Sequence, residues 1–218
     1  MFWGALGLAG CREPELERAD LLLQLEDWPR AIAVYDHLVE RDPSRAEARM
    51  GLALARAGRE REAADASLDS ASRWLSVARD FAIVERLDSS LSTSRDRADA
   101  LFHAALCWQR EGRIPQARNA AEQAQATLAP HAPSAQYLGT LARSEGDPVA
   151  AERWFTRAIA ADSTYLPAWA SLGELAEKDG DPEGALLYWE EGLRRSPGQA
   201  WFRQSVHRLR DSLGLSTP

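Results

Sequence analysis

Lysine occurs once in this chain, at Lys178, and cysteine twice, at Cys11 and Cys107. Two cysteines are too few for a disulfide framework or a structural zinc site. The four histidines, His37, His103, His131 and His207, include no pair at i, i+3 or i, i+4 and no H-E-x-x-H. Also missing are a G-x-S-x-G elbow, a glycine-rich phosphate loop and a C-x-x-C pair. No residue therefore stands out as catalytic, and nothing calls for a metal or a cofactor. The net charge of −7 opposes general binding to nucleic acid, whose phosphates attract excess Lys and Arg. No stretch reaches the ~18 to 20 apolar residues that a spanning helix needs.

What is present is order at long range. The 218 residues are 45% apolar and 27% charged, the composition of a folded protein. GDPVAAERWF at 146–155 returns as GDPEGALLYW at 180–189. Gly112, Gly146 and Gly180 fall 34 residues apart, as do Ala117, Ala151 and Ala185. Leu138–Gly139 recurs as Leu172–Gly173, and Asp147–Pro148 as Asp181–Pro182. Each column has a physical task. Glycine just past a helix adopts positive φ cheaply, Asp caps the next helix, and Pro suits its first turn. The unit is helix, tight turn, helix, with small residues at the crossing. Bulk is traded between columns: Phe155 or Trp189 on a second helix faces Ala142 or Ala176 on the first, and Ala121 faces Trp108.

The earlier half is less regular. Residues 12–45 keep Ala19, Ala31, Tyr35, Leu38 and Pro43 in phase, but Glu26 stands where the turn glycine belongs. Gly58 and Gly112 are 54 residues apart, one period plus 20. With Gly58 as a turn glycine, the first helix of 46–71 comes out about two residues short. The surplus falls where Trp74, Val77, Ala78, Phe81, Val84 and Leu87 follow helical spacing, which predicts an extra helix around 72–90. Trp201, Phe202, Val206, Leu209 and Leu213 form one stripe of a final helix at 199–213, wet on its other face and fit to cap a stack.

These motifs resemble the tetratricopeptide repeat (TPR). Trp169, Leu172, Gly173, Gly180, Ala185, Trp189 and Pro197 fall at that family's signature spacings. The resemblance divides residues 12–218 into repeats at about 12–45, 46–71, 98–131, 132–165 and 166–199. It implies an all-α, right-handed superhelical solenoid that acts as a non-enzymatic scaffold binding other proteins. Its concave groove would be lined by Asp99, Phe102, Leu106 and Gln109, by Pro133, Gln136, Thr140 and Arg143, and by Pro167, Ala170, Glu174 and Glu177. A trough of this mixed character suits a peptide or a helix, and the same residues also fit a solvated inner face. The Lys, Asn and Arg set with which chaperone-binding members clamp a carboxylate is not present.

Residues 1–11 carry a second resemblance. LAGC at Leu8–Cys11 closes an apolar run and is followed at once by REPELER, which is similar to the signal and lipobox of bacterial lipoproteins. That resemblance implies a lipid on Cys11 and a place in the cell envelope. Arg12 follows the cysteine instead of the aspartate that retains lipoproteins in the inner membrane, so the outer membrane, facing the periplasm, is favoured. Against it, Met1, Phe2 and Trp3 supply none of the positive charge with which signal peptides begin. The competing expectation is a cytoplasmic TPR subunit of a larger complex.

Overall fold

A computed structural model of the chain describes residues 13–63 and 70–215. Eleven helices and no strands occur among the described residues, so the fold is all-α. Cys11 lies outside these residues.

The first of two compact units ends at Gly112. Its helices are α1 (Pro14–Gln24), α2 (Trp28–Arg41), α3 (Ala46–Glu62), α4 (Ser70–Leu87) and α5 (Ser94–Arg110). Each packs on the next in sequence, and α1 also touches α3. Leu16, Ala19, Ala31, Tyr35, Leu38, Ala48 and Leu52 form one buried cluster across α1, α2 and α3. A helix does fall in the expected stretch 72–90, as α4, but among the described residues it follows α3 directly and packs against it. It is therefore the partner of α3 and not an addition to a hairpin within 46–71; it also packs against α5.

Gly58 plays a different part from the one its spacing suggested. It lies inside α3, which runs on to Glu62, and so does not mark a turn. A Cβ there would meet the Trp28 ring at 2.6 Å, so the glycine makes room for an indole. The turn glycine's place before α2 is taken by Glu26, which adopts φ 58° itself.

The second unit begins at Arg113. It contains α6 (Ile114–Thr127), α7 (Ala132–Ser144), α8 (Pro148–Ala161), α9 (Leu166–Lys178), α10 (Pro182–Arg195) and α11 (Ala200–Ser212). The two best-matched repeats are the hairpins α7–α8 and α9–α10, and their turns are built alike. Gly146 and Gly180 take φ 81° and 78°. Behind them the Asp147 and Asp181 amides reach back to the Ala142 and Ala176 carbonyls at 3.0 and 2.9 Å, closing the last turn. The same aspartates then accept from the Ala150 and Gly184 N–H groups, each at 2.9 Å, capping α8 and α10.

Between repeats a second turn recurs. Asp162 accepts from the Thr164 amide at 2.8 Å and from its hydroxyl at 2.6 Å. Asp42 with Ser44 and Asp88 with Ser90 repeat that geometry in the first unit. The hydroxyl bond in particular holds the Asp42 and Asp88 carboxyls below the usual range.

The hairpin cores follow the exchange of bulk read from the sequence. Ala142, Ala151 and Phe155 share one cluster, and Ala185 and Trp189 share another with Ala176 against it. α11 buries Phe202, Val206 and Leu209, whereas Trp201 stays 40% exposed at the edge of the stripe, stacked on Phe202 at 3.9 Å. Gly192 admits Phe202: a Cβ would fall 1.9 Å from its ring.

Candidate functional site

In the second unit the expected groove residues lie along α7 and α9, and the structure ties those first helices together. Gln136 donates to the Ser171 hydroxyl at 2.7 Å. Arg143 pairs with Glu174 at 2.7 Å. Glu177 in turn accepts from Arg208 of α11 at 2.8 Å and from the Trp189 indole at 2.7 Å. The three links span 35, 31 and 31 residues, one period apart to within a helical turn. They make a ladder from α7 through α9 to α11.

The remaining positions differ in kind. Thr140 is exposed and its hydroxyl donates back to the Gln136 carbonyl at 3.0 Å. Pro167 is exposed, Pro133 is half-buried, and Ala170 packs against the cluster around Trp189 and Phe202. Arg143 also lies over the Phe155 ring, 5.9 Å from its centre. Arg208 beside Glu177 is the main reason that carboxyl sits below its ordinary pKa. The surface is therefore polar, charge-balanced and held in place by its own bonds.

In the first unit, Asp99, Phe102 and Leu106 of α5 are half-buried and Gln109 is exposed. Next to Phe102, His103 stacks on Trp74 at 4.4 Å. One turn on, the half-buried Cys107 thiol is pushed up by burial, which disfavours the reactive thiolate. Between α2, α3 and α4 lies a cleft where Arg56 bridges Asp36 and Asp80 at 2.9 and 2.6 Å, and Arg73 meets Glu60 at 2.7 Å. Each carboxylate there has its arginine, the arrangement of a structural ion-pair network.

Three of the histidines, His103, His131 and His207, make packing or polar contacts, and His37 is exposed on α2. His131 is 3% exposed at the start of α7, its Nδ1 2.8 Å from the Ser134 hydroxyl. Gln125 donates to the His131 carbonyl at 2.6 Å. His207 contacts Asp211 at 2.8 Å on the outer face of α11. No group of three or more His, Cys, Asp or Glu able to hold a metal occurs among the described residues. Nor, among them, is any helix long and apolar enough to cross a membrane.

Sequence reasoning missed the ladder. Its signal was available in the near-period separations of Arg143 from Glu174 and of Glu177 from Arg208.

The fold defines a class: helical hairpins repeated in series, packed helix on helix within each unit. A tetratricopeptide-repeat profile matches residues 16–81 and 137–200, more than half of the chain, and the protein belongs to that family. The match takes in residues 16–81 of the irregular first half and leaves out the whole of 98–131. A comparison with curated protein sequences finds no match. Solved structures of similar fold include YrrB, described as a TPR protein with an unusual peptide-binding site. It is 17% identical, over 88% of this chain and 90% of that one, with TM-score 0.52. PilF of Pseudomonas aeruginosa is 15% identical over 92% and 83%, with TM-score 0.56. MamA is 18% identical over 84% and 96%, with TM-score 0.53.

Proposed function

We propose that this protein is a non-enzymatic adaptor that holds another protein's peptide or helix on the inner face of its repeats, anchored by a lipid on Cys11 in the bacterial envelope. The observation that carries the adaptor reading is the ladder of α7, α9 and α11. Side chains already fixed by one another lose little freedom when a partner arrives, which is how a preorganised surface gains affinity. Thr140 and Pro167 are exposed along it. YrrB is described as having a peptide-binding site, which agrees with this use of the fold. The anchor rests on the sequence LAGC and the abrupt change to charged residues after it. Arg12 after the cysteine favours the outer membrane.

Two measurements test the proposal. Cells fed a labelled fatty acid should place label on the intact protein and none on Cys11→Ser; an unlabelled parent removes the anchor. Affinity capture from a native envelope extract should recover a reproducible partner that is lost with Thr140→Trp, which obstructs the inner face. A partner retained equally by that variant places binding elsewhere. The cytoplasmic alternative predicts a reproducible partner and no label.

A further inference from the structure

Helix α1 presents one stripe straight away from its core. Leu16 and Ala19 are buried, and the helical period puts Pro14, Arg18, Leu21 and Leu25 on the opposite side. Leu21 is 55% and Leu25 68% exposed. The acidic residues of the helix lie off this line. Glu15 is turned to Arg41 at 2.8 Å, and Glu13 is held by both Arg41 and Arg45. Glu17 flanks the stripe about 60° away, at ~100° per residue.

Two exposed leucines alone would be unremarkable on a soluble surface. Their position relative to Cys11 changes that. Two peptide steps separate Cys11 from Glu13, a reach of at most about 7 Å. Leu16, three residues further, is fixed in the core. A lipid on Cys11 would therefore bring the start of α1 to the bilayer with almost no slack. From Pro14 to Leu25 the helix runs about 16 Å at ~1.5 Å per residue. Laid along the membrane surface, it places both leucines at the acyl boundary and Arg18 at the headgroups, the arrangement of an interfacial helix.

Resting on the lipid-anchor reading above, we infer that the outer face of α1, through Leu21 and Leu25, is a bilayer-contacting surface that fixes the orientation of the first unit on the membrane.

The test uses the full-length lipidated chain, carrying Cys107→Ala, in phosphatidylcholine vesicles. An environment-sensitive fluorophore is placed at Leu21→Cys, at Leu25→Cys or at the control Leu187→Cys, itself 64% exposed on α10. Blue-shifted emission and quenching by nitroxide-labelled lipids at 21 and 25, at least threefold stronger than at 187, is the expected result. Lipidated protein, confirmed by mass, with equal quenching at all three positions overturns the membrane face and leaves the anchor standing. Protein that carries no lipid and does not bind vesicles overturns both. Helical circular dichroism of each labelled variant confirms that the fold is intact.

Discussion

Gly173 lies against the indole of Trp189 so closely that a Cβ would come within 2.6 Å of the ring. Gly139 stands in the same relation to Phe155, at 2.5 Å. Both ring-bearing partners are buried, so neither has room to withdraw. Gly173→Ala should therefore destabilise the second unit by about 1–3 kcal/mol through overpacking. Urea unfolding followed by circular dichroism measures it. Trp189→Leu in the same chain should recover part of the loss. An alanine variant as stable as the parent would show that the hairpin can open at no cost.

Glu26 supplies a contrasting case. It holds φ 58° in the turn between α1 and α2, with its amide donating to the Leu23 carbonyl at 3.2 Å and the Asp27 amide to that of Leu22 at 3.0 Å. Gly146 does the same work without strain. A side chain in this region costs roughly 1–2 kcal/mol, so Glu26→Gly is expected to raise stability by about 1 kcal/mol. Thermal unfolding of the pair decides it, and a lower midpoint for the glycine variant would refute the strain argument.

Glu177 links acid stability to the ladder. Its pKa is lowered from the ordinary 4.5, first by the bond from Arg208. The unfolded chain thus binds more protons than the native one in that window, and stability rises with pH across it. The contribution is complete above about 4.5 and disappears as pH falls through the native value beneath it. Glu177→Gln keeps an acceptor for the Trp189 indole and loses the charge. Urea midpoints of parent and variant should differ at pH 6 and converge towards pH 3. A gap that stays constant over that range would place the effect in packing.

Arg143 and Glu174 are partly exposed, their side chains 31% and 55% accessible. A double-mutant cycle with alanine should give a coupling of only ~0.2–1 kcal/mol, weakened by salt. The same single substitutions should change partner affinity by more than they change stability, because they loosen the inner face. Equal effects on both would reduce the pair to scaffolding.

The 34-residue columns made the α7–α8 and α9–α10 hairpins legible because three tasks, positive φ, cap and first-turn proline, fall on three adjacent residues. Gly58 misled because a glycine that admits a ring and a glycine that turns the chain look alike in one sequence. Glu26 was visible only as a departure; that it adopts the glycine's conformation depends on the two backbone bonds that hold it. That Gln136, Thr140 and Arg143 share one helix, and Ala170, Glu174 and Glu177 the next first helix, was readable from the repeat. Their pairing was not, since Arg143 and Glu174 meet only after two hairpins have stacked. The Asp162–Thr164 turn escaped notice because its bonds are local and polar, without an apolar rhythm to announce them.

The turn at Gly146, Asp147 and Pro148 carries its own stop, its own start and the direction of the next helix. The turn at Gly180, Asp181 and Pro182 carries the same three instructions. Each of these two hairpins thus fixes its own bend without help from its neighbour, and substitutions on the exposed helix faces are free to vary without disturbing how the chain reverses.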